Sequence, residues 1–120
     1  MANQKVLGTA IVRLDGKSVR SKPGASIDLG GFERTEDVAD GTVIGYVEKP
    51  VPSVITATLA HVSSEQYAKM RDVVDSSLVF ECDNGKRYTV QGAFLTKPPK
   101  ISGDGGGVEV EFKGQPATER

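Results

Sequence analysis

The sequence predicts a mainly β fold, an antiparallel β-sandwich or half-barrel with one flanking α-helix at about residues 64–75. The first observation is a series of strand-like runs separated by the turn dipeptides Asp15-Gly16, Asp40-Gly41 and Asn84-Gly85. The second is a single change of hydrophobic period, from two residues to helical spacing, just after residue 62. Strands, one helix and further strands in that order are typical of an antiparallel sheet with a helix packed against it.

The first half of the chain contains three short predicted strands, at 9–14, 26–29 and 42–47, the last with Gly45 as a candidate bulge. Residues 32–40 are charged and lack a clean period, so we expect a loop there. Residues 49–52 read Lys-Pro-Val-Pro. Because neither proline can donate to a ladder, we expect extended, unpaired chain or a sheet edge.

Residues 54–62 form the longest predicted strand. One face carries Thr56 and Thr58 among apolar residues, and the other carries mainly apolar side chains. Since neither face is fully polar, the pattern favours a strand that is covered on both sides.

The predicted helix follows this strand directly. Ser63 and Gln66 have the spacing of a capping box. Tyr67, Met70 and Val74 then recur at helical spacing, and this stripe is expected to pack onto the sheet of the same subunit.

The second half of the chain predicts a hairpin around Asn84-Gly85, a loop over 97–107 and a last strand over 108–113. In that strand Glu109 and Glu111 alternate strictly with apolar residues, so the two carboxylates share one face. Residues of about 1–5 and 115–120 are expected to be flexible termini.

Composition bounds the domain and the class of protein. The 120 residues predict a single domain, 1–120, with a modest core, since the apolar fraction is 38% and tryptophan is absent. A formal charge of -1 argues against an affinity for nucleic acid that depends on neutralised phosphates. No apolar run approaches the roughly 20 residues of a membrane span, and the N-terminus lacks the apolar segment of a signal peptide, so no membrane anchoring is expected.

Few residues could carry chemistry. His61 and Cys82 are the only residues of their types, too few for a typical zinc site. The glycine-rich run at 103–107 lacks the Lys-Ser/Thr pair of a phosphate-binding loop, and the turn at Asp83 lacks the calcium-loop pattern. Glu109 and Glu111 fit a solvated face better than a glycosidase pair. We therefore expect no enzyme activity, no catalytic residue, no metal site and no cofactor.

The order of motifs is more informative than any single motif. A strand and an Asp15-Gly16 hairpin lead to SIDLGG, then to FERTEDV, GTVIGYVEKPVPS, VSSEQYAKM, FECDNGKRYTV and a terminal VEVEFKG. Over about residues 5–114 this order resembles the tail tube protein of Mu-like contractile-tailed bacteriophages.

The resemblance implies a structural virion protein that is assembled in the host cytoplasm. Its fold would be the β-sandwich or half-barrel with a flanking helix. Homohexameric rings would stack into a hollow tube inside a contractile sheath, with strands joined edge to edge around the lumen. The implied partners are further copies of the chain, the tail sheath protein, and the baseplate and tape-measure proteins. DNA would pass through the lumen without specific binding.

Two sets of residues become candidates under this resemblance. The lumen-facing candidates lie on polar strand faces and are Thr56, Thr58, Glu109 and Glu111. The candidates for contact with a neighbouring subunit or ring lie in the charged and proline-containing segments of 32–53 and are Glu33, Arg34, Glu36, Asp37, Lys49, Pro50 and Pro52.

Three alternatives stay open. A tube of a tailocin or a type VI-like contractile injection system would share the fold but deliver no genome. A small β-barrel ligand-binding module would stay monomeric and show a closed apolar pocket. An enzyme would need His61, Cys82 or a carboxylate pair to converge in a cleft.

Overall fold

The computed structural model describes residues 3–63 and 66–120. Within these ranges the chain forms eleven strands and one short 3-10 helix, Tyr67–Asp72. The strands, β1 to β11 in chain order, are Ala10–Leu14, Lys17–Ser18, Ser26–Asp28, Gly31–Ala39, Thr42–Val51, Ser53–Leu59, Ser76–Cys82, Arg87–Leu95, Lys100–Ser102, Gly107–Gly114 and Thr118–Glu119.

Nine strands form one antiparallel sheet in the order β2-β1-β7-β8-β10-β6-β3, with β11 beside β8 and β9 beside β10. The segment between β2 and β3 joins the two ends of this sheet. The Ala60 amide donates to the Arg20 carbonyl at 3.0 Å, and the Lys22 amide donates to the Thr58 carbonyl at 2.6 Å. Residues 20–22 thereby run along the outer edge of β6 and close the sheet into a small barrel.

The barrel interior is filled by the side chains that alternate inward along its strands. In β10 the predicted alternation is confirmed, because Val108, Val110 and Phe112 are buried. In β6 one face is buried, including Ile55 and Leu59, while Thr56 on the other face is exposed, so this subunit covers the strand on one side only. The remaining buried apolar residues are Val12, Ala57, Tyr67, Leu78, Phe80, Cys82, Val90 and Ala93.

The predicted loop at 32–40 is wrong, because these residues form β4, which pairs with β5 in a separate two-stranded ribbon, the arm hairpin, Gly31–Val51. The Asp40-Gly41 turn has φ values of 52° and 72°, the left-handed conformations that such a turn requires. Apart from the half-buried Gly31 and Val51, every residue of the arm hairpin is exposed. A ribbon with no buried face needs no hydrophobic period, which is why the sequence read as a loop.

Of the two expectations for residues 49–52, the sheet edge is confirmed for Lys49 and Pro50, which lie in β5 opposite Glu33 and Phe32. The other edge of β5 has no paired strand in the described sheets. Prolines in sheets are confined largely to such edges, because a proline has no amide to donate to a second neighbouring strand. Register shifts at Asp37 and Val38, opposite Gly45 and Val43, so the irregularity predicted near Gly45 is present.

The predicted α-helix is a 3-10 helix of six residues, which begins after Gln66, and no side chain caps its N-terminus. Ser64 and Glu65 of the predicted helix lie outside the described residues. Tyr67 is buried and Met70 packs against the core, but Val74 is 72% exposed, so its predicted packing is wrong. With three residues per turn, the third position on this face is Val73, which does pack against the core.

Both described ends of the chain are bonded to the barrel. Near the C-terminus β11 pairs with β8, and Arg120 exchanges two backbone hydrogen bonds with Arg87 at 2.8 and 3.1 Å. Lys5 lies 3.9 Å from the Asp83 carboxylate, while Met1 and Ala2 lie outside the described residues. Within the predicted loop of 97–107, Lys100–Ser102 form β9.

Candidate assembly surfaces

The four lumen-facing candidates lie together on the outer face of β6 and β10. Glu109 is opposite Thr58, and Glu111 is opposite Thr56, in the antiparallel register. Residues that oppose each other across antiparallel strands project from the same face, so the two carboxylates and two hydroxyls form one patch. The opposite face of both strands is the barrel core.

This patch carries balanced charge rather than an acidic surface. Lys100 on β9 lies opposite Glu109, and Lys97 and Pro98 line the same open groove of about 390 Å³ as the four candidates. Lys113 continues the patch on β10. The polar face is therefore hydrophilic, with carboxylates and ammonium groups interspersed, and offers no block of positive charge to hold a phosphate backbone.

The second set of candidates lies in or beside the arm hairpin. Glu33, Arg34, Glu36 and Asp37 are in β4, Lys49 and Pro50 are in β5, and Pro52 follows β5 at the base. All of them lie on exposed chain. Their charged side chains keep the ribbon hydrophilic, which limits unwanted edge pairing.

The two faces of the arm hairpin differ in chemistry. One face carries four large apolar residues that are 55–65% exposed, Phe32, Val38, Val43 and Tyr46, interspersed with the charged residues Arg34, Glu36 and Glu48. We call these four residues the apolar arm face. The other face carries mainly polar side chains, among them Glu33, Lys49 and Thr35, together with the exposed Val47. Ile44, which is also exposed, lies at the register shift. Sequence reasoning named the charged residues and prolines and missed the apolar arm face, although Val43 and Tyr46 stood within a predicted strand.

Arg34 organises the middle of the apolar arm face. Its Nε donates to Glu48 Oε1 at 3.2 Å, and its guanidinium lies 5.6 Å from the ring centroid of Tyr46. Both contacts orient the Tyr46 ring on a ribbon that has no core to hold it, and a cation over an aromatic face adds about 0.5–1 kcal/mol at an exposed site.

The helix candidates join the loop after β6 to the core. The Tyr67 hydroxyl donates to the Ala60 carbonyl at 2.7 Å and accepts from the Val62 amide at 2.9 Å. His61 stacks on the Tyr67 ring at a centroid distance of 4.7 Å. The only histidine thus lies on the surface against a structural tyrosine.

Cys82 is buried in the core, and burial, followed by the nearby Asp83 charge, raises the pKa of its thiol. A thiol held protonated in this way is a poor nucleophile. Among the described residues, no group of three or more His, Cys, Asp or Glu side chains is placed to hold a metal ion. None of the helices in the described part of the chain has the length and apolarity to cross a membrane.

Comparison with known proteins identifies the family of this β domain. A sequence model of the phage tail tube protein family matches residues 3–119. The chain belongs to this family, and it is therefore a structural component of the virion tail.

Two relatives show how closely the sequence follows known members. The Mu-like prophage FluMu tail tube protein of Haemophilus influenzae (strain ATCC 51907 / DSM 11121 / KW20 / Rd) is 31% identical over 98 residues, 82% of each chain. The tail tube protein of Escherichia phage Mu is 26% identical over 110 residues, 92% of this chain and 91% of its own.

Solved structures share the fold at lower identity. The cap of the anti-feeding prophage, its tube terminating cap, superposes with a TM-score of 0.68 at 17% identity, over 100% of this chain and 94% of that one. The sheath-tube complex of an extracellular contractile injection system, PVC, in its extended state gives 0.64 at 14% identity, over 98% and 91%. At these identities the likeness establishes the fold alone.

Proposed function

We propose that this tail tube protein forms homohexameric rings that stack into a hollow tube, with the arm hairpin as the element that reaches a neighbouring copy. The exposed apolar arm face carries this proposal. A two-stranded ribbon without a core is marginally stable in water, and four large apolar side chains on one of its faces need a partner surface. Another copy supplies that surface in a tube.

The patch of Thr56, Thr58, Glu109 and Glu111 is the proposed lumen wall. It is the polar side of the barrel sheet, and its charges are interspersed. DNA then passes along a hydrophilic wall whose lysines are accompanied by carboxylates, so binding through released counterions is weak. Weak binding of this kind would let DNA move through the tube without being retained.

The partners follow from this assembly. The outside of the tube meets the tail sheath protein, and its ends meet the baseplate, with the tape-measure protein inside before DNA enters. The PVC neighbour comes from a sheath-tube complex. A protein with this fold therefore occurs together with a sheath, which supports a sheath partner for this chain.

Negative-stain electron microscopy of Val43→Asp and Thr42→Asp tests the proposed arm contact. Both variants add one carboxylate at adjacent exposed positions, but only Val43 belongs to the apolar arm face. A carboxylate left unpaired in a contact costs more than about 1–3 kcal/mol. Val43→Asp should therefore raise the concentration needed for tubes by about tenfold or more, while Thr42→Asp keeps tubes with six-fold end views.

The outcome against the proposal is equally direct. Circular dichroism first establishes that both variants keep the barrel fold. If Val43→Asp forms tubes like those of the wild type, at the same protein concentration, the arm hairpin is not the contact. Wild-type protein that stays monomeric at high concentration, even with a baseplate present, would contradict self-assembly itself.

A further inference from the structure

The two strands of the arm hairpin leave the barrel through short links of unusual conformation. On the outgoing side, Gly30 and Gly31 have φ values of 76° and 113°. A Cβ on Gly30 would lie 2.6 Å from the Ser53 amide nitrogen, so the returning strand passes close beside it. On the returning side, Pro52 stands directly before β6. A pair of positive-φ glycines beside a proline link is suited to act as a hinge.

The C-terminal tail is hydrogen-bonded to the residues that precede and follow the two links. The Ser53 hydroxyl, on a residue with 0% exposure, donates to the Gln115 carbonyl at 2.7 Å. The Ala117 amide donates to the Leu29 carbonyl at 2.8 Å. Leu29 and Ser53, which flank the arm hairpin on its outgoing and returning sides, are thus each hydrogen-bonded to the same three-residue stretch, 115–117.

The tail is itself fastened to the barrel on both sides of these contacts. The Gln115 amide donates to the Gln91 carbonyl at 3.0 Å, and Thr118–Glu119 pair with β8. Ala117 packs against the core. The tail therefore transmits the position of β8 to the base of the arm hairpin, and an open groove of about 410 Å³ lies between that base and the tail.

We infer that residues 115–120 are a clamp that sets the direction in which the arm hairpin leaves the barrel. The two bonds fix the positions from which both links start. Without them these positions would shift, and the ribbon would swing toward the adjacent groove. The importance of this for assembly rests on the proposed function, because an arm that must reach a neighbouring copy has to be aimed. The clamp itself is a property of one subunit.

Electron paramagnetic resonance distances test the clamp directly. Spin labels at Thr42→Cys, near the arm tip, and Lys100→Cys, on β9, report the arm direction in a Cys82→Ala background. Labelled protein is diluted into excess unlabelled protein of that background, so that only distances within one subunit are read. The full chain should give one narrow distance.

Two variants loosen the clamp and one matched control leaves it intact. Deletion of 116–120 removes the Ala117 bond and β11, and Ser53→Ala removes the second bond. Both should widen the distance distribution, the deletion more. Glu119→Ala removes the ion pair with Lys86, which spans 3.7 Å, but leaves every backbone bond of the clamp, and the distance should stay narrow.

An unchanged narrow distance in both loosening variants would overturn the clamp. If the deletion prevents folding, Ser53→Ala alone decides, since it removes a single oxygen atom. Tube formation by the same variants separates the two hypotheses. Widened distances with normal tubes would sustain the clamp and count against the arm as the contact, whereas a narrow distance overturns the clamp whether or not tubes form.

Discussion

The amide and the hydroxyl of Thr9 both donate hydrogen bonds to the Asp83 carboxylate, each at 3.2 Å. The Asp83 amide donates in return to the Thr9 carbonyl at 3.0 Å. Together with the Gly8 amide at 3.1 Å, these bonds fasten the N-terminal segment to the turn between β7 and β8. The pKa of Asp83 is lowered, mainly by the Gly8 amide and then by the Thr9 donors, because all of them favour the ionised carboxylate.

Asp83→Asn should reduce the stability of the fold at neutral pH and flatten its dependence on acid. A carboxylate whose folded pKa is depressed stabilises the fold fully above its unfolded pKa, about 3.9. That contribution is lost as pH falls through the lower folded value. Thermal unfolding followed by circular dichroism between neutral pH and strong acid should show a lower stability than wild type at neutral pH and no difference in acid.

Thr9→Val is the control for this prediction. It removes one donor but keeps the carboxylate, so its stability should still fall with acid. Some acid dependence will also persist in Asp83→Asn, because a hydrogen bond from Arg13 lowers the pKa of Glu81 as well. Parallel curves for wild type and Asp83→Asn across the whole range would contradict the assignment to Asp83.

Gly107→Ala should destabilise the barrel far more than Gly105→Ala. The two glycines have similar φ values, 82° and 88°, so the backbone penalty, on the order of 1 kcal/mol, is shared. A Cβ on Gly105 meets open space, whereas a Cβ on Gly107 would overlap the carbonyl oxygen of Leu59. We expect a further 1–3 kcal/mol, roughly, for Gly107→Ala, measured by urea unfolding. Equal losses for the two would show that β10 moves away from β6 without cost.

Val73→Ala should lower the free energy of unfolding by about 1 kcal/mol, because two partly buried methyl groups that pack against the core are removed. Val74→Ala should change it by less than about 0.5 kcal/mol, because Val74 is 72% exposed. The two valines directly follow the 3-10 helix, are matched in chemistry and differ in exposure. The reverse order in urea unfolding would restore the α-helical register.

The same pair of valines shows where sequence reasoning stopped. The apolar residues after Gln66 do point to a helix, and Tyr67 and Met70 suit an α-helix and a 3-10 helix alike. Only the third apolar residue that contacts the core, Val74 in an α-helix or Val73 in a 3-10 helix, distinguishes the two kinds of helix. That contact is decided by the Leu95 amide, which donates to the Val73 carbonyl at 3.1 Å, and such a long-range bond leaves no local pattern.

The strands divide in the same way. Strands with one buried face, such as β10, are predictable from the alternation of apolar and polar residues, and the turn at Asp40-Gly41 is predictable from its dipeptide. β4 is not, because it has no buried face within this subunit. The pairing of β6 with β10 brings the four lumen candidates together. This pairing could not be predicted, because the two strands are distant in the chain and no local sequence pattern specifies which strands pair.

Reversing charge on the proposed lumen wall should slow DNA delivery without preventing tube assembly. In Glu109→Lys with Glu111→Lys, the patch loses both carboxylates while Lys97 and Lys100 remain beside them. The wall then becomes uniformly basic, and repeated copies around a ring would hold phosphates by releasing their counterions. Because such binding weakens steeply with ionic strength, delivery should partly recover at high salt.

Tube yield by electron microscopy and the rate of DNA release from purified particles are the two measurements. The control is Glu109→Gln with Glu111→Gln, which removes the charge without reversing it. Folded protein that forms no tubes would instead place these residues in a contact between subunits.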